Sequence, residues 1–163
     1  MSIEVIKPGL LTSLQDAGRR GYAQLGLGRA GAVDEPSMQL ANALVGNAGD
    51  EAVLEITLAG PTLRFQQDAV VALTGGLIEG RVEGQALPAW TSCFLPAGSV
   101  LRLGGMRHGC RSYLAVRGGF DCTPVLGSRS TDLHAGVGPL RGKAVQAGDM
   151  LAIGEHAAAS WFP

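Results

Sequence analysis

The chain has 163 residues, a formal charge of −1 from 13 basic and 14 acidic side chains, and 46% apolar residues. That length supports one domain with a substantial core, 1–163, and the near-neutral balance excludes the basic footprint of a nucleic-acid binder. Glycine, at 25 residues, is about twice as frequent as the ~7% of an average protein, and aromatics are only 5%, a mixture that excludes a helical bundle.

In chain order, a first strand is predicted over 3–6, stopped by Pro8-Gly9, and a second over 10–14. A stretch rich in glycine and arginine follows over 18–31. Asp34 is then a good N-cap and Pro36 fits a first helical turn. Met38, Ala41, Leu44 and Val45 recur at helical spacing, and Gly46-Asn47 supplies the stop. One helix of about three turns is predicted there, plugging or covering a barrel. Further strands are predicted over 53–58, 62–65, 69–73 (ended by Gly75-Gly76), 77–82, 91–95, 100–103, 112–116 and 150–153. Strands this short, spaced by turns, point to a mainly β barrel or sandwich. The apolar end Trp161-Phe162-Pro163 reads as a chain that continues.

Cys93, Cys110 and Cys122 are odd in number and widely spaced, so no disulfide framework is expected; Cys93 and Cys110 read as small core side chains. The N-terminus lacks a basic segment followed by an apolar one. The longest charge-free run, 84–101, is broken by Pro88, Pro96 and Gly98. Neither a signal peptide nor a membrane helix is expected, and a cytoplasmic location follows.

Residues 26–31 read GLGRAG, which matches the dinucleotide fingerprint, with Asp50 downstream. The match lacks its context: no buried strand precedes it and no βαβ unit follows. Two other readings of this segment stand. Its glycines, with Arg19, Arg20 and Arg29 and the helix N-terminus behind Asp34, form an anion site for carboxylate or phosphate; or it is a connecting loop with solvated arginines. Residues 127–132, GSRSTD, pose the same choice. Ser128, Arg129 and Ser130 either cradle an anion or form a turn in which the hydroxyls hold backbone N–H groups and Arg129 braces the loop.

Residues 138–144, GPLRGKA, resemble a phosphate loop, but Ala144 stands where a hydroxyl must hold Mg²⁺. Neither Lys7 nor Lys143 lies in a Met-Lys-Met string, so no biotin attachment site is expected. His108 and His134 lack metal-ligand spacing, and no metal is expected. Ser13, Asp16 and His134 have the residue types of a nucleophilic triad, whose assembly only a structure can test.

The strings IKPGLLTSLQDAGRRGYAQLGL (6–27), GAVDEPSMQLANALVGN (31–47), LEITLAGPTLRF (54–65), ALTGG (72–76), YLAVRGGF (113–120) and LGSRSTD (126–132) together resemble the KipA/PxpC family. Its members are also known as the C subunit of 5-oxoprolinase, as allophanate hydrolase subunit 2 or as the biotin-dependent carboxyltransferase domain family. The resemblance implies a cyclophilin-like β-barrel and a subunit of an ATP-dependent 5-oxoprolinase, which hydrolyses 5-oxoproline to L-glutamate together with companion A and B subunits. It leaves two alternatives: a non-catalytic module that binds a KipI-like partner, and a carboxyltransferase-type domain of a urea carboxylase system. It also implies a second barrel-like half with a GGYP-like string. This sequence lacks that string and resembles the N-terminal half. In this light Arg19, Arg20, Arg29, Asp34, Ser128, Arg129 and Ser130 are the candidate contacts to an anion or substrate, and ATP is expected to be held by the complex.

Overall fold

Strand β1 (Ser2–Lys7) alternates as a half-buried strand must, with Ile3 and Val5 fully buried and Ser2, Glu4 and Ile6 between them only partly so. The computed structural model describes residues 1–155, so the apolar end read at 161–163 lies outside the described residues. After β1 come β2 (Leu11–Gln15), a 3₁₀ turn (Ala23–Leu25), helix α1 (Glu35–Val45), β3 (Val53–Thr57), β4 (Thr62–Phe65), β5 (Ala69–Val82), β6 (Gln85–Ala86), β7 (Ser92–Leu95), β8 (Val100–Val116), a single turn α2 (Pro139–Gly142) and β9 (Met150–Ala152). All pairings are antiparallel within one sheet, ordered β2-β3-β8-β4-β1-β9, with β5 pairing β6, β7 and β8. The sheet curls into a half-barrel, so the expected mainly β architecture is present.

The 17-residue β8 is the spine: its first part pairs β4, its last part pairs β3, and its other edge pairs β5. Sequence reading divides β5 and β8 into two strands each, with Gly75-Gly76 as the stop in β5. That doublet is a bulge instead. Gly75 has φ +84°, and a Cβ there would come within 2.7 Å of the Arg111 carbonyl oxygen. The register shifts between Gly75 and Leu77 while the ladder continues to Val82. Turn α2 is a second departure from the single expected helix; Leu140 and Arg141 both have positive φ there, so it is no regular α-helix.

Two apolar clusters flank the sheet. The larger lies inside the curl and gathers Ile3, Val5, Leu14, Leu54, Ile56, Leu63, Phe65, Leu101 and Leu114. The smaller places Met38, Ala41 and Val45 of α1 against Val53, Ala72, Tyr113 and Ala115. Helix α1 therefore covers the sheet's other face. Asp34 caps it by accepting Ser37 N–H at 3.1 Å, and Gly46 ends it in the left-handed conformation. Burying a side chain the size of Met38 stabilises by about 1.5–3 kcal/mol. Asn42, also fully buried, fastens the helix end: it donates to the Glu51 carbonyl at 2.8 Å and accepts from Asn47, which donates to the Val116 carbonyl. The cysteine reading holds in part: Cys93 packs against the core, but Cys110 is exposed on β8. None of the described helices is long and apolar enough to cross a membrane.

Candidate functional site

Strand β2 carries Thr12, Ser13 and Gln15 beside Leu14, all buried, so polar side chains lie under a covering layer of loops. That layer is pinned by Asp16. Its Oδ1 accepts the Ser128 and Ser130 hydroxyls, each at 2.6 Å, and the Gly18 N–H at 2.7 Å; its Oδ2 accepts the Arg129 N–H at 2.5 Å. Burial alone would raise this carboxyl's pKa, but the two hydroxyls and two N–H groups outweigh it and hold the pKa below the ordinary aspartate value. The Ser-Arg-Ser string does cradle an anion, and that anion is the protein's own. Its donors are spent, which is the turn reading of 127–132 extended by a buried carboxylate. Arg129 braces the knot, donating from Nε to the Cys122 carbonyl at 3.0 Å.

Beside the knot a cleft of about 420 Å³ opens between strands β2 and β3, Arg111 of β8, the glycine-rich loop at Gly26 and Gly28, and residues 131–135. Register explains its chemistry. Glu55 pairs with Tyr113 and Thr57 with Arg111, so all four side chains share one face of the β3–β8 ladder. Glu55 is 7% exposed. Its Oε2 accepts the Val33 N–H at 2.8 Å and the Tyr113 hydroxyl at 3.0 Å, while its Oε1 lies 3.6 Å from Arg111 Nε. Tyr113 accepts the Asp34 N–H at 2.7 Å. Burial raises the Tyr113 phenol far above its ordinary pKa; the Asp34 N–H opposes this and the Glu55 charge adds to it, so Tyr113 stays a neutral donor to Glu55.

Gln15 forms another wall: Nε2 donates to Ser13 Oγ at 2.9 Å and to the Thr131 carbonyl at 3.0 Å, and Oε1 accepts the Gly31 N–H at 3.1 Å. Asp132 Oδ1 accepts the N–H groups of His134 and Ala135, which fixes the outer lip. Arg111 Nε and Thr131 Oγ1 are buried with no hydrogen-bond partner.

None of the residues predicted as anion contacts lines this cleft. Arg19 is 2% exposed and donates to the Ser130 carbonyl at 2.5 Å, with Nε and Nη1 unpartnered. Arg20 is exposed on the loop. Arg29 donates to the Ala17 carbonyl and pairs with Glu35 at 3.0 Å on the surface. Asp34 is occupied by its cap. Ser128 and Ser130 hold Asp16, and Arg129 supports them. The triad of Ser13, Asp16 and His134 does not assemble: Ser13 and His134 both line the cleft, but Asp16 does not and is saturated in the knot. The GLGRAG string follows a 3₁₀ turn rather than a strand and contributes Gly26 and Gly28 to the cleft wall. The loop's close passage past 16–19 requires glycine at 18, where φ is +85° and a Cβ would come within 2.7 Å of the Arg29 carbonyl oxygen. Glu55, Arg111 and Gln15 escape the sequence reading, and Thr131 enters it only as a hydroxyl of the 127–132 string. The one available signal is Glu55 itself, an ionisable residue inside the apolar run 53–56.

A mainly β half-barrel with a polar cleft in its loop-covered edge defines the class, and the comparisons name it. Residues 25–162 match the carboxyltransferase domain, subdomain A and B, and the chain belongs to this family. It is 46% identical over 155 residues to the C subunit of 5-oxoprolinase from Escherichia coli, covering 94% of this chain and 49% of that protein. It is 40% identical over 151 residues to urea amidolyase of Saccharomyces cerevisiae, covering 92% of this chain and 8% of that protein. The crystal structure of the K. lactis urea amidolyase superposes with a TM-score of 0.91 at 38% identity, over 93% of this chain and 9% of that one. The chain thus spans about half the length of the bacterial relative and a small part of the yeast ones.

Proposed function

We propose that the chain forms part of a multi-subunit, ATP-dependent 5-oxoprolinase and supplies groups that hold the amide substrate. The observation that carries this reading is the cleft itself, where one guanidinium and one pinned carboxylate share a β-ladder face, set in a chain 46% identical to the C subunit of 5-oxoprolinase from Escherichia coli, which it covers to 49% of its length. Substrate 5-oxoproline is a cyclic amide with one carboxylate. Such a ligand needs a forked cation for its carboxylate and positioned polar groups for its amide. The protein's own part is to bind and orient it: Tyr113 and Val33 hold Glu55 in place, and Gln15 holds the floor.

The residues present do not fit the phosphates of ATP. One arginine faces two carboxylates, Glu55 and Asp132, around the cleft. The string 138–144 folds around the α2 turn with positive φ at Leu140 and Arg141, not as a strand, loop and helix. ATP hydrolysis supplies the driving force for amide opening, and its site is assigned to the companion KipI/PxpB-like and PxpA-like subunits. The test is ADP release by the assembled subunits with and without 5-oxoproline. Substrate-dependent release that requires this protein supports the reading; release that is unchanged by its omission overturns it.

The likeness to urea amidolyase favours a second reading, a carboxyltransferase-type domain acting on urea or a related amide. The same assay with urea in place of 5-oxoproline separates the two. Capture of the companions without any effect on ADP release would instead favour a pure interaction module.

A further inference from the structure

Two neighbouring cross-strand rows on the outer face of the sheet treat charge differently. In one, Val100 of β8, Arg64 of β4 and Glu4 of β1 stand opposite one another. Arg64 donates to Glu4 at 3.0 Å and Gln66 donates to the same carboxylate, so the row is balanced. In the next row Arg81 of β5 stands directly opposite Arg102 of β8, Arg102 opposite Thr62 of β4, and Thr62 opposite Lys7 of β1. All three cations are exposed and the row holds no carboxylate. Arg81 donates to the Gly84 carbonyl of its own turn at 3.2 Å. The side chains of Arg102 and Lys7 have neither a hydrogen bond nor an ion pair among the described residues. Of the nearby acids, Glu79 is committed to Arg107, and Glu83 in the adjoining turn pairs with neither arginine. Like charges directly opposite each other destabilise a ladder, so this row carries a cost that nothing in the described chain offsets.

Beside the row lies a groove of about 270 Å³, lined by Leu77, Glu79, Arg81, Leu87 and Arg107. Leu77 is 47% exposed in it. None of these residues lines the β2–β3 cleft. An apolar strip flanked by unmatched arginines restricts the occupant. Arginine forks suit carboxylates. Residues opposite each other in an antiparallel pair are about 4.5–5.5 Å apart, and a helix presents positions i and i+4 at about 5–6 Å, so two acids on successive helical turns match Arg81 and Arg102. The overall charge of −1 provides no broad positive field for nucleic acid or anionic lipid.

We infer that the outer face of β5 and β8 is a docking surface for an acidic, amphipathic segment of a companion subunit. Its carboxylates meet Arg81 and Arg102, Lys7 extends the row, and an apolar side chain lies against Leu77 and Leu87. This rests on the multi-subunit reading and adds to it the contact surface, which leaves the cleft open to substrate.

The test is calorimetric titration of each purified companion subunit with the chain at about 50 and about 500 mM salt. One companion should bind, at least about 10-fold more weakly at the higher salt. The double variant Arg81→Glu with Arg102→Glu should weaken that binding about 10- to 100-fold, and Arg81→Gln with Arg102→Gln about 3- to 10-fold. Arg64→Gln, in the balanced row, should stay within about 2-fold. Zero-length carbodiimide coupling should join a companion carboxylate to Lys7 rather than to Lys143, read by mass spectrometry. Thermal melts establish that each variant is folded. Equal binding by the folded charge-reversed chain, coupling through Lys143 alone, or binding to duplex DNA or phosphatidylserine vesicles with none to a companion overturns the inference. ADP release by the full complex separates the two claims. Release that requires this protein but is insensitive to the double reversal leaves the 5-oxoprolinase reading standing and removes the surface. Charge-dependent capture of a companion with no effect on ADP release keeps the surface and removes that reading.

Discussion

The Asp16 knot and the Glu55 cleft adjoin each other and use the same ingredients: a buried carboxylate, an arginine and hydroxyls. They differ in saturation. Asp16 accepts four hydrogen bonds, and the two serine hydroxyls that donate to it also accept the backbone N–H groups of Asp16 and Ser130. Glu55 has both of its hydrogen bonds on one oxygen and keeps the other 3.6 Å from Arg111 Nε, an ion pair without a hydrogen bond. Residue type alone therefore does not separate a structural site from a binding site. The count of donors and acceptors left over does.

Breaking the knot should be the most damaging change. Asp16→Ala strands two hydroxyls and two N–H groups in a buried place and should cost about 3–5 kcal/mol in urea denaturation. A loss under about 1 kcal/mol would mean that solvent replaces the carboxylate readily and that the knot is not structural. Acid should loosen the same place. The folded pKa of Asp16 lies below its unfolded value of about 3.9, so its stabilisation is present above that pH and is lost as pH falls through the folded value. Asp16→Asn should flatten this part of the stability profile; an unchanged acid limb would assign it to other carboxylates.

On the cleft side, Tyr113→Phe removes one of the two donors to Glu55 and the acceptor for Asp34 N–H, for about 1–3 kcal/mol by the same denaturation measurement. Arg29→Ala, which breaks a surface pair with side chains 49% and 34% exposed, should stay within about 0.5 kcal/mol and leave 5-oxoproline binding unchanged. A binding loss there would return the glycine-rich loop to the site. Thiol chemistry supplies a mild probe of the fold beside both places. Burial pushes the Cys122 thiol up to about 11, against the opposing charge of Arg129, whereas Cys110 is exposed. Iodoacetamide at neutral pH should label Cys110 first, read by mass spectrometry of the digested chain. Faster labelling of Cys122 would show that the loop around Arg129 opens.

Helix α1 is readable from residues because its signals are local: Asp34 at the cap, Met38, Ala41 and Val45 on one stripe, Gly46 at the end. The long β5 and β8 are not, since Gly75-Gly76 reads as a stop and β8 reads as two separate runs, 100–103 and 112–116, whereas cross-strand pairing carries the chain through them. The knot is half readable. GSRSTD advertises an anion cradle, but nothing in the string names Asp16, more than a hundred residues away, as the occupant. The cleft is hardest, because Glu55, Arg111 and Thr131 meet only through β3–β8 register and a covering loop. Only the acid inside an apolar strand hints at it.

The most direct measurement is the amide ¹H–¹⁵N spectrum of the chain titrated with 5-oxoproline. Shifts should concentrate at Gly28, Arg111, Thr131 and His134 and spare Gly18, Ser128 and Arg129. Shifts centred on Gly18 and 128–129, or none at saturating ligand, would reverse the assignment of structure to the knot and recognition to the cleft.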